Sequence, residues 1–310
     1  MEGNAFGEII WNDRKRRGIS QGALCRGICS PAMMSRIEHG EKEITVLMAQ
    51  IFLERLGLDI GKFEIILNAK EFERYRKRQK IDRCIKEKDV LQAEKELALY
   101  EGTMEQEKLH VQYVKSRQLM MLYLKIELGV IGKTERKRLQ EQTGRLLQEI
   151  GRMTVPYFDE NQLLSRTEIW VFVELAKQNP PGHLKYIHKF VKDFYSTVLK
   201  SEIYPLVQLE YAKVLAEAGE YEKALKQVRE GLEAVQTGKS YQYCADLHFL
   251  SAQIVLIQKG NQLKEEEREA CQRQCMLAYR LYEFDQDPKA LEVQGYLEGV
   301  LKWGSIVKGN

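Results

Sequence analysis

ISQGALCRGICSPAMMSRIEHGE, residues 19–41, has the spacing of two short helices joined by a tight turn. Ser20 and Ser30 each precede a helical pattern and are suited to cap it, because a serine hydroxyl accepts a backbone N–H that the first turn leaves unpaired. Pro31 follows Ser30 at the first helical position, where its fixed φ is favourable. The stretch therefore predicts a helix-turn-helix, with an ordinary helical hairpin as the alternative.

The second of these helices divides into two sides. Met33, Met34 and Ile37 recur at helical spacing and are expected to turn inward. The outward side carries short or donor-bearing side chains at Pro31, Ala32, Ser35 and Arg36. In a major groove, Arg36 can offer a guanidinium fork to guanine O6 and N7, and Ala32 can pack on a thymine methyl. The outward side is therefore predicted to read DNA.

These residues resemble the lambda-repressor-like, or XRE-type, helix-turn-helix proteins. The run LCRGICSPAMMSRIEHGE is similar to that of the Rgg and PlcR-type (RRNPP group) regulators of low-GC Gram-positive bacteria, and the resemblance extends from residue 6 to about residue 67. It implies an ion pair between Arg14 and Glu38 that stabilises the domain. It also implies that Gln21 contacts a phosphate or a base. The expected DNA-binding set is Gln21, Ser30, Pro31, Ala32, Ser35 and Arg36.

Composition places limits on the class of protein. A chain of 310 residues, 44% apolar and 30% charged, is long enough for two domains. It has no apolar run of about eighteen residues and no charged-then-apolar leader, which favours a soluble cytoplasmic protein without membrane contact. Residues 1–68 carry nine basic and nine acidic side chains. Affinity for DNA must then come from local placement of charge rather than from a net positive field.

The six cysteines lack the spacing of a disulfide scaffold, as expected for a reducing compartment. Cys25 and Cys29 lie on either side of a helix end, and Cys271 and Cys275 are one helical turn apart. A metal or redox pair is the alternative. Because no CxxC motif or matched histidine pair accompanies them, we interpret these thiols as small buried hydrophobes. We expect no metal and no other cofactor.

Residues 1–68 form the predicted DNA-binding domain of five helices, the last at about 60–67. Residues 69–88 are predicted to be a basic linker and the first repeat helix, since residues 70–88 hold nine Lys or Arg against four Asp or Glu. A basic linker beside a DNA reader can add salt-sensitive phosphate contacts. A solvated helix face accounts for the charges equally well.

The remainder, residues 72–310, reads as helical repeats. In residues 204–238, Ala212, Gly219, Tyr221 and Ala224 stand at the offsets of a tetratricopeptide repeat, and the segment resembles that family. Small residues suit the helix crossing, glycine suits the turn, and the tyrosine fills the wedge beside it. Degenerate pairs are expected at 72–101, 108–150, 162–200 and 241–284, with a cap helix at 289–307. The prediction is an all-α chain ending in a tetratricopeptide-like right-handed superhelix.

A superhelix of this kind has a concave surface lined by the first helix of each pair. Aromatic side chains there can grip apolar peptide side chains, and polar ones can fix the peptide backbone. The candidate peptide-binding residues are Arg166, Trp170, Glu174, Leu206, Leu209 and Lys213. The alternative is that the apolar members fill the core. Rgg-type proteins often have asparagines on the third inner helix, and the matching run WVFVELA has none, so no ligand residue is carried over from that family.

The sequence thus predicts a transcription regulator that binds double-stranded DNA as a homodimer at an inverted repeat and responds to a short signalling peptide. One alternative is a peptide-independent repressor whose repeats serve dimerisation. Another is a protein-binding adaptor that the DNA domain localises. An enzyme is not expected, because the histidines are scattered and no Gly-rich phosphate loop or Ser, His and Asp set has a recognisable context.

Overall fold

The computed structural model describes residues 5–62, 69–102, 107–129, 133–159, 161–176 and 182–301, and every regular element in these ranges is helical. The predicted all-α class is confirmed. Contacts divide the chain into two compact units, Met1–Asn179 with Phe194–Leu199 and Pro180–Asp193 with Lys200–Asn310. Within the described residues, no helix has both the length and the apolar character needed to cross a bilayer.

The first unit opens with the predicted helix-turn-helix. Its helices are α1 (Ala5–Arg16), α2 (Gln21–Cys25), α3 (Pro31–Glu38) and α4 (Val46–Arg55). Both predicted caps are present: the Ser20 hydroxyl accepts from the Ala23 N–H at 3.0 Å, and the Ser30 hydroxyl accepts from the Met33 N–H at 3.2 Å. The start of each helix is therefore determined by its own sequence.

Helices α1 and α2 pack against α3, and α2 also contacts α4. Met34 and Ile37 of α3 are fully buried, as expected, whereas Met33 is half-buried. Gly7 lets α1 approach the end of α3, because a Cβ at that position would overlap the carbonyl oxygen of Ile37. Of the predicted fifth helix, the structure has a short 3-10 turn at Ile60–Lys62, and the rest lies outside the described residues.

The first unit continues with helical hairpins. They comprise α5 (Ala69–Lys86), α6 (Val90–Glu101), α7 (Lys108–Glu127), α8 (Lys133–Thr154) and then α9 (Arg166–Ala176). The basic segment lies mostly in α5, where part of its charge is matched by Glu71, Glu73 and Glu96. The first unit therefore contains both the predicted DNA-binding domain and the first repeats. The predicted domain boundary at residue 68 stays a prediction.

The second unit holds the remaining helices except for Phe194–Leu199, where the first of them ends and the next begins. They are α10 (Gly182–Phe194), α11 (Thr197–Glu217), α12 (Tyr221–Gly238), α13 (Cys244–Lys259), α14 (Glu265–Phe284) and α15 (Lys289–Gly299). Ala212 and Ala224 are fully buried where α11 and α12 share a core, Gly219 has φ +77°, and Tyr221 packs against that core. The repeat predicted from these four residues is confirmed.

Two predicted boundaries change. The third pair was expected to end at residue 200, but α11 begins at Thr197 and continues through Pro205. Proline removes one helical hydrogen bond, and here Tyr204 and Leu206 on either side of it are buried, so packing outweighs that loss. The cap helix was expected to reach residue 307. It ends at Gly299, and residues 302–310 lie outside the described part of the chain.

Candidate nucleic-acid interface

The outer side of α3, with Ser30 at its start, is the candidate DNA-reading surface. We call the side chains Ser30, Pro31, Ala32, Ser35 and Arg36 the recognition face. Ser35 is half-buried and the other four are exposed, although the Ser30 hydroxyl is already engaged in capping α3. The face therefore offers small side chains and a single guanidinium to an approaching groove.

Arg36 has a weak partner. Its Nε lies 3.9 Å from a carboxylate oxygen of Glu41, and both side chains are more than 60% exposed. An exposed ion pair at this distance contributes little, because water screens it and two long side chains lose freedom. The guanidinium can therefore exchange Glu41 for a base edge or a phosphate at small cost.

Beneath the recognition face, Arg14 and Glu38 form a buried, bidentate ion pair. Arg14 Nε and Nη2 lie 2.6 and 2.8 Å from the two carboxylate oxygens, and Nη1 donates to the carbonyl of Ile19 at 2.8 Å. The ion pair implied by the family resemblance is thus present. Gln21 Nε2 also donates to Glu38, at 2.7 Å. In this structure Gln21 supports the same carboxylate, and its contact with DNA stays a prediction.

A second buried arginine, Arg55 at the end of α4, holds the turn between α2 and α3. It is fully buried, and all five of its N–H groups have acceptors. Nη1 donates to the carbonyls of Leu24 and Arg26 at 2.9 and 2.7 Å, which belong to the C-terminal end of α2. A cation at a helix C-terminus satisfies carbonyls that the helix itself leaves unpaired.

The other side of Arg55 contacts the repeats. Nη2 lies 2.6 Å and Nε 3.2 Å from the carboxylate of Glu168 on α9, and Nη2 donates to the Thr154 carbonyl at 3.2 Å. Burial by itself raises the pKa of Glu168, but the charge and hydrogen bonds of Arg55 outweigh that effect and lower the pKa below its ordinary value. Glu168 therefore stays ionised, and the buried charges compensate each other.

Three further contacts hold the same turn. Gly27 has φ +74°, and a Cβ there would overlap the carbonyl oxygen of Thr154. The Lys108 ammonium donates to the Gly27 carbonyl at 2.7 Å, and Arg26 forms an ion pair with Asp159. We call Arg55, Lys108, Thr154 and Glu168 the turn anchor. Within the first unit, the helix-turn-helix is thus fastened to α7, α8 and α9.

Sequence reasoning missed the turn anchor. The local signal was the acidic and basic pair Glu54 and Arg55 inside the apolar run VLMAQIFLERLGL, where a surface helix would not place charge among core residues. Such a charged pair predicts that Glu54 and Arg55 have buried partners, but it does not indicate which residues those partners are. Glu168 lies 113 residues further along the chain, so local spacing carries no information about it.

In the first unit, α9 carries three of the candidate peptide-binding residues. Arg166 pairs with Glu54 of α4 at 2.8 Å, which links α9 to the helix-turn-helix, and its contact with a peptide stays a prediction. Trp170 is half-buried and meets the ring of Tyr123 on α7 edge-on, with centroids 6.2 Å apart. Glu174 is 8% exposed. Its charge influences Tyr123: burial raises the pKa of that tyrosine to about 12, and the negative charge of Glu174 acts in the same direction.

In the second unit, the candidates on α11 need correction. Leu206 and Leu209 were expected to line an open groove, but they are 4% and 3% exposed. Leu209 packs into the core shared by α11, α12 and α13. Lys213 is 44% exposed and pairs with Glu210 at 2.9 Å. Of these three, only Lys213 presents much side-chain surface for a ligand.

A small polar cavity lies in the first unit between α4, α5, α7 and α9. Its volume is about 30 Å³, and its lining includes Glu54, Arg78, Asp82, Tyr113 and Arg117. Arg117 pairs with Asp82 at 2.8 Å and lies over the Tyr113 ring. Space of this size and polarity suits one or two water molecules and is too small for a peptide side chain.

No protein-family model matches the sequence, and no curated protein matches it. Among solved structures, the chain is similar to PlcR of Bacillus thuringiensis in complex with the peptide PapR7 and DNA, at 17% identity, with 96% of this chain and 99% of that chain covered and a TM-score of 0.48. It is similar to the apo form of the competence regulator ComR from Streptococcus vestibularis, at 15% identity, with 97% and 99% covered and a TM-score of 0.45. ComR from S. thermophilus, solved with DNA and its signalling peptide ComS, gives 15% identity, 94% and 97% coverage and a TM-score of 0.41. These are similarities of helical fold at low sequence identity.

Proposed function

We propose that the chain is a transcription regulator that binds double-stranded DNA sequence-specifically through the recognition face. The observation that carries the proposal is the two-sided character of α3. Its inner side is fully buried at Met34 and Ile37, while Ala32 and Arg36 are exposed on its outer side. The buried pair of Arg14 and Glu38 holds the end of this helix rigidly. A rigid helix with an exposed arginine fork is what base reading in a major groove requires.

The regulator acts as a homodimer in this proposal. One recognition helix reads too few base pairs for specificity, and two of them about 34 Å apart read an inverted repeat. In this division of labour, residues 1–68 bind DNA and residues 72–310 form the regulatory repeats. The proposal assigns no catalytic step to the chain.

We infer further that a short signalling peptide controls DNA binding. Helix α9 supports this, because it carries both a ligand candidate and the turn anchor: Trp170 and Glu174 lie on the same helix as Glu168, which holds Arg55. A peptide bound against the Trp170 and Tyr123 rings can therefore displace α9 and change the contact of Glu168 with Arg55, which holds the turn before α3. Control of this kind requires that the peptide bind the two states with different affinity.

A second candidate function is a peptide-independent repressor whose repeats serve dimerisation. The burial of Leu206 and Leu209 and the small size of the cavity beside α9 favour it. In that case the exposed part of the repeats contacts a second copy of the chain rather than a peptide.

The deciding experiment is a fluorescence anisotropy titration of the purified full-length protein against the DNA fragment upstream of its own gene. The titration is repeated with short synthetic peptides encoded by small reading frames beside that gene. We expect saturable binding and a shift of the dissociation constant with one peptide. The matched control is Trp170→Ala, which should bind DNA alike without peptide and lose the shift.

Tight binding that no peptide changes would support the peptide-independent repressor. Equal binding to the upstream fragment and to a scrambled fragment of the same length would contradict sequence-specific recognition altogether.

A further inference from the structure

Two thiols meet at the turn between α2 and α3. Cys25 is the last residue of α2 and is 1% exposed, and Cys29 lies half-buried four residues later. The Cys29 backbone N–H donates to the Cys25 carbonyl at 3.1 Å, and the two thiols are close enough for Cys29 to lower the pKa of Cys25. Both side chains are free thiols.

The geometry of this turn allows a disulfide. The Ile28 and Cys29 N–H groups both donate to the Cys25 carbonyl, and Arg26 at ψ 126° and Gly27 at φ +74° give residues 25–29 a tight, non-helical turn that brings the two cysteines close together. Disulfides span Cα separations of about 4.4 to 6.8 Å. Because this turn already brings the two thiols into mutual influence, a covalent bond needs only a local tightening of residues 25–29.

We propose that Cys25 and Cys29 form an oxidation site for peroxides, and that the resulting disulfide weakens DNA binding by the adjacent α3. A thiolate of the pair attacks one peroxide oxygen, so that an S–O bond forms, the O–O bond breaks, and hydroxide leaves and takes up a proton. The second thiol then attacks the sulfenic sulfur and displaces water. In sum, two thiols and one hydrogen peroxide give one disulfide and two waters, with the cysteines oxidised and the peroxide reduced.

The surroundings favour the first step. The hydrogen bond from the Cys29 thiol lowers the pKa of Cys25 to about 7 against the opposing effect of burial, and the nearby charge of Arg55 acts in the same direction as the hydrogen bond. The thiolate is the reactive form of cysteine, so Cys25 supplies the attacking thiolate, whereas its interaction with Cys25 raises the pKa of Cys29. Half-exposed Cys29 gives solvent access to the pair.

A second pair with the same spacing provides an internal comparison. Cys271 and Cys275 are one turn apart in α14, at 3% and 0% exposure. Burial raises the pKa of both thiols, that of Cys275 to about 12. These two cysteines should stay reduced under conditions that oxidise Cys25 and Cys29.

The effect on DNA binding rests on the proposed function. Cys29 directly precedes Ser30, which caps α3, and Arg26 within the turn offers its carbonyl to Arg55. Drawing Cys29 toward Cys25 displaces both contacts. Since a lost helix cap costs about 1 kcal/mol, we expect the dissociation constant for DNA to rise roughly fivefold or more.

Trypsin gives a direct readout of the disulfide. It cuts after Arg26, so peptides 18–26 and 27–36 remain joined only if Cys25 and Cys29 are bonded. It also cuts after Arg273, so peptides 269–273 and 274–280 remain joined only if Cys271 and Cys275 are bonded. Full-length protein is treated with graded hydrogen peroxide at neutral pH, alkylated with iodoacetamide, digested and analysed by mass spectrometry.

We expect the joined pair 18–26 and 27–36 to appear at peroxide doses that leave Cys271 and Cys275 fully alkylated. Absence of that joined pair, or its appearance together with the joined pair from α14 at the same dose, would overturn the oxidation site. This readout needs no variant and no DNA, so it decides the chemistry even if the protein binds no DNA fragment at all.

The regulatory half is tested by anisotropy with the DNA fragment upstream of the gene. Peroxide should raise the dissociation constant of the wild type, and dithiothreitol should restore it. The dissociation constant of Cys29→Ser should not change with peroxide. This variant retains Met33 and Met34, which peroxide can also oxidise, so it controls for methionine oxidation. An oxidised wild type that carries the disulfide and binds DNA as tightly as the reduced form would overturn this half. A reduced protein without specific DNA binding would instead count against the proposed function.

Discussion

Arg36 supplies the guanidinium of the recognition face, and its pairing with Glu41 is exposed and long. If it forms a fork to guanine, Arg36→Ala should lose roughly 1 to 3 kcal/mol of specific binding and leave non-specific binding almost unchanged. Arg16→Ala is the matched control, since Arg16 is an exposed arginine on α1. The measurement is a pair of titrations against the specific and scrambled fragments. Equal weakening for both fragments would make Arg36 a phosphate contact.

Glu38 acts beneath the recognition face. Glu38→Gln leaves Arg14 buried without its counter-charge, which typically costs about 3 to 5 kcal/mol, so the urea midpoint of the first unfolding transition should fall. Gln21→Ala removes only one hydrogen bond to the same carboxylate and should cost about 1 kcal/mol. Circular dichroism in urea separates the two variants. An unchanged midpoint in Glu38→Gln would show that the ion pair does not stabilise the helix-turn-helix.

At the scale of elements, the turn between α2 and α3 is held by tertiary contact as well as by its own conformation. Gly18 and Gly27 both have φ near +70°, but only the Cβ position at Gly27 meets another segment, the Thr154 carbonyl. Gly18→Ala should lose about 1 to 2 kcal/mol for the left-handed backbone alone. Gly27→Ala should lose more, because the turn must also move away from α8. Equal losses in urea unfolding would show that the contact with α8 adds no stability.

The buried pair of Arg55 and Glu168 joins α4 to α9 and makes stability depend on pH. Because the folded pKa of Glu168 lies below the ordinary value of 4.5, its contribution is complete above that pH and is lost as pH falls through the folded pKa. Urea unfolding from pH 7 to pH 3 should therefore show declining stability at the acid end. Glu168→Gln should be less stable at pH 7 and should decline less steeply.

The control for that profile is Glu283→Gln, which alters an exposed pair with Arg280 on α14. The hydrogen bond from Arg280 lowers the pKa of Glu283, but water screens this exposed pair, so the pH profile of the variant should stay close to that of the wild type. A Glu168→Gln profile parallel to the wild type throughout the acid range would show that Glu168 is not the titrating group.

At the scale of the whole molecule, the proposed dimer predicts a spacing rule for the DNA. Half-sites one helical turn apart, about 10 base pairs, face the same side of the duplex. Inserting 5 base pairs between the half-sites should abolish high-affinity binding, and inserting 10 should restore much of it. Sedimentation of the protein with each fragment gives the stoichiometry. Binding that does not vary with the insertion would favour a monomer on a single half-site.

Much of the helix-turn-helix was predictable because its signals are local. The caps at Ser20 and Ser30 and the buried side of α3 each depend on neighbours within a few residues. The Arg14 and Glu38 pair came from family resemblance, since its partners are 24 residues apart. The positions of Leu206 and Leu209 were predicted less well. An apolar helix face has the same sequence pattern whether it lines a groove or a core, and both leucines are buried.

Helical periodicity, capping and small-residue spacing act over short stretches, so they were enough to predict the all-helical class, the helix-turn-helix and the tetratricopeptide-like packing of Ala212 and Ala224. Which charges are buried together depends instead on the packing of helices that are far apart in the chain. Arg55 meets Glu168, and Gly27 meets Thr154, across more than a hundred residues of chain. Such contacts depend on how the helices pack, and no local pattern encodes that packing.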